Sequence, residues 1–195
     1  MAGRGRHASA LLLCGGLLLP AAAASAGETP EKRVERIHLP ASADVAAVRQ
    51  ALAEAGSRLE ASACQGLFTE FESQDGRPLA AVLEGREETG ASYLGWLTFY
   101  DGAGAEPCWN RQLGRFAFTV PGSPVIYVCP GFANVLRRYP EEAVATLIHE
   151  TLHSLGLGEN PPSSRHIQER VLARCFPARS SKGTRIAASR STSKR

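Results

Sequence analysis

His149, Glu150 and His153 lie within residues 139–160, YPEEAVATLIHETLHSLGLGEN, and their types and spacing suit metal-assisted hydrolysis. On a helix the two histidines stand at i and i+4. Both imidazoles then project from one face, roughly 6 Å apart along the axis, and can bind one metal ion. Glu150 is turned about 100° from His149, a poor direction for a co-ligand but the right one for a general base acting on a metal-activated water. Gly156 and Gly158 can both take the left-handed backbone that ends a helix, so the chain can turn back and offer Glu159 as third ligand. His166 and Glu169 are the rivals for that position and rank behind Glu159. His166 could otherwise donate a hydrogen bond to a transition-state oxyanion.

The element that must position these groups is readable around them. Pro140 is pre-set for a first helical turn, and Glu141 and Glu142 suit the positive end of the helix dipole. Val144, Leu147, Ile148, Thr151 and Leu155 supply an apolar stripe, so the helix is buried or half-buried. Residues 131–139 read as a short helix or turn leading into it. Beyond Glu159, Pro161 and Pro162 stop helix continuation and stiffen the ligand's approach. Ser163 or Ser164 can cap a final helix running through Ile167, Val171 and Leu172 to Cys175.

The stretch from His149 to Glu159 resembles the extended zinc-binding motif of the metzincin metallopeptidases, H-E-x-x-H-x-x-G-x-x-H, over eleven residues. The resemblance implies that His149 and His153 are zinc ligands, Glu150 the general base and Gly156 the turn residue. Glu159 stands where the family has its third histidine; an acidic residue there is known in the snapalysin-like peptidases, which carry aspartate. The family's methionine turn has no counterpart, since the only methionine is Met1; another apolar residue must form that floor. The layout, a small exported chain with this motif near its C-terminal end, is similar to uncharacterised exported bacterial metallopeptidases. In metzincin-like folds an edge strand above the metal holds the substrate backbone by strand addition, and the resemblance offers residues 94–100 for that role.

Residues 1–26 read as a secretory signal peptide: Arg4 and Arg6 precede an apolar stretch rich in leucine and alanine, and Ala24-Ser25-Ala26 forms a small-residue cleavage site. This predicts a secreted or periplasmic protein without a transmembrane segment after cleavage. Residues 27–177 are then one domain with a real core. Residues 178–195 contain six basic and no acidic residues and read as a disordered tail. Without that tail and the two leader arginines, the 22 basic residues fall to 14 against 19 acidic, so the body is acidic and no nucleic-acid partner is expected. Four cysteines remain after cleavage. In an exported chain they read as two disulfides with three possible pairings, of which Cys108 with Cys129 and Cys64 with Cys175 is preferred.

Along the domain, residues 33–39 suggest a short strand ending at Pro40. His38 lies near its end and is read as hydrogen-bonded or partly exposed, not as a ligand. Residues 43–63 form a helix with Ser42 as cap and Val45, Val48, Leu52, Ala55 and Leu59 on one face. Residues 67–72, 79–83, 94–100, 115–120 and 125–129 read as strands separated by turns at Gln74-Asp75-Gly76, Asp101-Gly102 and 121–124. Trp96, Phe99, Phe116, Phe118 and Tyr127 are expected in the core. The fold expected is α+β and metzincin-like: a small mixed or antiparallel sheet packed with an N-terminal helix, the metal-bearing helix and a C-terminal helix. The function expected is an exported zinc peptidase acting on a peptide or protein substrate, with one zinc ion on His149, His153 and Glu159. The alternative is a non-catalytic exported zinc-binding or envelope interaction protein whose metal site is structural. A fourth protein ligand such as His166 would favour the latter.

Overall fold

The computed structural model describes residues 36–40, 42–110 and 114–177; the signal peptide, the start of the first strand segment and the basic tail read from the sequence lie outside the described residues. In chain order come β1 (Ile37–His38), α1 (Ser42–Glu60), α2 (Ser62–Gln65), α3 (Leu67–Glu70), α4 (Leu79–Glu84), α5 (Gly90–Trp96), β2 (Thr98–Asp101) and α6 (Glu106–Trp109). Then follow β3 (Ala117–Thr119), β4 (Val125–Val128), α7 (Phe132–Arg138), α8 (Pro140–Ser154) and α9 (Ser164–Cys175). The chain is thus α+β with a small mixed sheet in the order β1-β2-β4-β3. β1, β2 and β4 run parallel, with Phe99 opposite both Ile37 and Ile126, while β3 closes one edge antiparallel to β4.

Alternation along the short strands decides which face is covered. Phe99, Ala117, Ile126 and Val128 are buried, on the side where α1 and α8 pack. The other face carries one ring from each strand: His38 stacks on Tyr100 at 4.8 Å, Tyr100 meets Tyr127 at 6.4 Å, and Tyr127 stacks on Phe118 at 5.0 Å. Such cross-strand aromatic pairs stabilise a narrow sheet. Helix α1 turns Val48, Ala51, Ala55 and Leu59 into the core, and α8 is buried along most of its length.

Several expectations are corrected. Residues 67–70 and 79–83 are helical, not extended; of the first segment only Phe71 and Glu72 are extended, with Glu72 in an isolated antiparallel bridge to Pro78. Leu79, Val82 and Leu83 are the buried positions of the second segment, and their i, i+3, i+4 spacing is that of a helix face; a short apolar run does not distinguish the two states until a partner surface is present. Residues 94–100 divide into the end of α5 and the start of β2. Thr89 caps α5 reciprocally with Ser92, whose amide donates to Thr89 Oγ1 at 3.1 Å while the Thr89 amide donates to Ser92 Oγ at 2.8 Å, a capping box that sets the helix start. β2 is hydrogen-bonded on both sides and has no free edge for a substrate; the edge strand near His149 and Glu150 is β3. Of the aromatics expected inside, Phe99 is buried, but Trp96 and Phe116 are exposed. Trp96 instead lies under the Arg36 guanidinium, 4.5 Å from its centre.

Both preferred disulfides form. Cys64–Cys175 joins α2 to the end of α9, and Cys108–Cys129 joins α6 to the residue after β4. Among the described residues no helix is long and apolar enough to cross a membrane.

Candidate metal centre

Helix α8 begins with Pro140 in its first turn, followed by Glu141 and Glu142, and presents Glu142, Thr146, His149 and Glu150 to one cleft. Its end is built to return the chain. Gly156 N–H donates to His153 O at 2.8 Å and Leu157 N–H to Leu152 O at 3.2 Å, the paired bonds of a Schellman cap. Gly156 has φ +107°, a conformation that L side chains rarely take, and a Cβ there would come 3.1 Å from the Ser73 Cβ. Gly158, by contrast, does not have a positive φ; its need is space, with Gln74 Cγ 3.0 Å from where a Cβ would sit. The returning loop is held from three neighbouring segments. The Gln74 amide donates to Gly156 O at 2.9 Å, the Gly122 amide to His153 O at 2.9 Å, and Tyr93 Oη to Ser154 O at 3.1 Å.

This cap brings Glu159 back over the helix. His149 Nε2 and His153 Nε2 are 3.0 Å apart, Glu159 Oε1 lies 3.3 Å from the latter and 4.0 Å from the former. Zinc bonds of about 2.0–2.1 Å in tetrahedral array separate ligand atoms by about 3.3 Å, a distance the three observed separations bracket. Among the described residues, His149, His153 and Glu159 are the group of metal-ligating side chains that could hold an ion.

Hydrogen bonding fixes which ring nitrogen is available. His153 Nδ1 lies 2.7 Å from Leu157 O, a pure acceptor, so Nδ1 carries the hydrogen. Gln168 Nε2 donates to Glu142 Oε2 at 3.0 Å, which turns Gln168 Oε1 toward His149 Nδ1 at 3.2 Å. That nitrogen must donate as well. In the neutral rings both Nε2 atoms therefore present lone pairs to each other and to a carboxylate, an arrangement that a cation between them relieves. Outer partners of this kind orient metal-binding histidines. The residues present fit a divalent metal; nothing in the donor set names which one. Burial, reinforced by His149, lowers the pKa of His153 even though the Leu157 carbonyl and Glu159 pull the other way.

Glu159 divides its two oxygens. Oε1 faces the histidines, while Oε2 accepts from Arg115 at 3.4 Å. Hydrogen bonding to His149, the Arg115 and His153 charges and Ser164 hold its carboxyl down to about 2 against partial burial. Glu150 is the opposite case. Burial pushes it up to about 8, with Glu159 adding to the rise and the Arg115 charge and a main-chain hydrogen bond from Thr119 opposing it. It stands beside His149 on the wall of a cleft of about 220 Å³ bounded by residues 114–117 on one side and Ser164, Arg165 and Gln168 on the other.

The rivals for third ligand point elsewhere. Glu169 pairs with Arg165 at 2.8 Å in solvent, and His166 meets Phe71 edge-on, 6.3 Å between ring centres, in a separate groove with Pro161 and Pro162. Sequence reading missed Arg115 and Gln168. Neither stands in a motif: Arg115 lies 44 residues before Glu159 and Gln168 lies 19 after His149, so only the fold brings them in. Glu142 was legible as a helix-start residue, but its place at i−7 from His149 also puts it on the ligand face. Comparison with known proteins gives no match to a family model, a curated protein or a solved structure.

Proposed function

We propose that the protein is an exported zinc-dependent peptidase of metzincin-like type, with His149, His153 and Glu159 as metal ligands and Glu150 as general base. The observation that carries the reading is the convergence of two Nε2 lone pairs and one carboxylate oxygen beside a second, buried carboxylate, Glu150, at the wall of an open cleft. Zinc bound there would supply Lewis acidity toward water and the scissile carbonyl. Glu150 would take the proton of the attacking water and pass that same proton to the leaving amine; burial raises its carboxyl to about 8 in the metal-free protein, and a cation on the neighbouring ligands would favour the ionised form that the first step needs. The Thr119 main-chain hydrogen bond holds Glu150 against β3, which has β4 as its one strand partner among the described residues and would take an extended substrate along its other edge, apart from the group spent on Glu150. Two disulfides suit an oxidising compartment and so support export.

A structural zinc site closes four positions with protein ligands. Here three are grouped, and His166 is turned away, which favours the catalytic reading over the non-catalytic one. The test is zinc content by elemental analysis together with cleavage of an unstructured protein substrate, for the parent, Glu159→Ala and Glu150→Gln. Glu159→Ala should lose metal. Glu150→Gln should keep it and lose at least about 10²-fold in rate. Retained hydrolysis in Glu150→Gln would remove the general-base assignment, and no metal in the parent would remove the peptidase reading.

A further inference from the structure

The cleft continues past His149 toward the start of α8, and its charges are unevenly matched. Arg115 is spent on Glu159, and Arg165 is turned outward to Glu169. Glu150 lies at the metal end. Glu142 lies at the far end, on the same helix face two turns, about 10 Å, before His149. Its side chain accepts from the neutral amide of Gln168, which engages Oε2 at 3.0 Å. Thr146, between Glu142 and the histidine, spends its hydroxyl on the Glu142 main-chain carbonyl at 2.8 Å, so the wall between the two ends offers no competing charge.

Resting on the peptidase reading above, we infer that this cleft takes a long basic side chain of the substrate, lysine or arginine, on the residue next to the scissile bond, and that Glu142 is the group that recognises its charge. A four-carbon or guanidinium-bearing stem suits a carboxylate set two helical turns from the metal ligands, where a short side chain would fall short. The stem lies along Thr146 and Gln168, and the cationic head meets Glu142 at the solvent-side opening. Because Glu142 is exposed, the preference is modest, about fivefold.

The experiment uses the full chain loaded with zinc and three hydroxamates that differ only in the side chain next to the metal-binding group: lysyl, the uncharged norleucyl and glutamyl. Binding is measured by calorimetry, so no turnover is needed. The lysyl probe should bind about fivefold tighter than the norleucyl one and both tighter than the glutamyl one. Glu142→Gln, which can still accept from Gln168, should bring the lysyl and norleucyl affinities together when variant and parent are compared at equal zinc loading. Equal binding of lysyl and norleucyl probes by the parent would overturn the basic pocket and leave the zinc site standing. Failure of all three to bind the zinc-loaded protein would overturn the peptidase reading, and the pocket with it.

Discussion

The two ends of α9 contrast in how their polar groups are matched. At its C-terminal end Cys175 is bonded to Cys64, and Arg170 and Arg174 both hold Glu70, the former through two bonds of 2.8 and 3.0 Å. At its N-terminal end Ser164 and Gln168 face a cleft beside which two imidazole nitrogens and a carboxylate oxygen converge next to the buried Glu150, with Arg115 on the outer oxygen of that carboxylate. The C-terminal end is cross-linked and matched in charge, although Arg174 Nε is buried there without a hydrogen-bond partner; the N-terminal end pairs Glu159 with Arg115 and sets two imidazole lone pairs against each other. The matched end is the cross-linked anchor of the helix that carries Gln168 to the cleft.

The sharpest way to break this division is to cut the anchor. In the chain-entropy description, loss of Cys64–Cys175, whose partners are 111 residues apart, should cost about 4.8 kcal/mol, and loss of Cys108–Cys129, 21 residues apart, about 3.4 kcal/mol. Paired Cys→Ser variants followed by denaturant melts measure both. If the anchor end is what orders α9, the first variant should also lose zinc affinity at temperatures where it is still folded, because Gln168 rides on the same helix; an unchanged affinity would separate the two ends.

A smaller effect is expected from within the cleft. Gln168→Leu removes the acceptor for His149 Nδ1 and frees Glu142, at a half-buried position that the matched end does not support. Zinc affinity, read by competition with a chelator, should fall about 10–100-fold, with the melting temperature of the metal-free protein little changed. Gln168→Glu restores an acceptor for the Nδ1–H and should recover part of the affinity. A Gln168→Leu variant that binds zinc like the parent would reduce the Gln168 contact to packing.

The contrast also explains what the sequence could reveal. The grouping of His149, His153 and Glu159 was legible, because they and Gly156 lie within one local stretch where helical periodicity and a glycine stop determine the geometry; the left-handed backbone expected also at Gly158 is found at Gly156 alone of the two. The α9 start was legible for the same local reason, with Ser163 of the two candidate serines accepting from the His166 amide; the disulfide pairing was only a preference among three, because Cys64 and Cys175 are 111 residues apart. The segment 67–96 was not. Its apolar runs are too short to separate strand from helix, and their state is decided by the surfaces they pack on, Phe68 under Gly90 and Leu79 in the core. The sheet edge next to the metal-bearing helix is β3 and not 94–100, because strand order is a global property. Arg115, Gln168 and the role of Glu142 were out of reach for that reason too, since each acts across elements far apart in the chain.

The smallest effect belongs to the matched end and has a definite sign with pH. Burial alone would raise the Glu70 carboxyl, but hydrogen bonds and charge from Arg170 and Arg174 outweigh it and set its pKa below the ordinary value of 4.5. The folded state therefore releases this proton more readily than the unfolded chain. The pairing contributes its full stability above the unfolded pKa and loses it as pH falls through the lower, folded pKa. The carboxylate is partly exposed and screened, so the contribution is about 1 kcal/mol at most. Glu70→Gln should lower the melting temperature of the metal-free protein at pH 7 and converge on the parent as the pH is taken well below 4.5, with the cleft's zinc affinity at neutral pH unaffected. A difference that persisted unchanged into acid would show that Glu70 holds α9 by shape and hydrogen bonding, and that charge matching at that end is incidental.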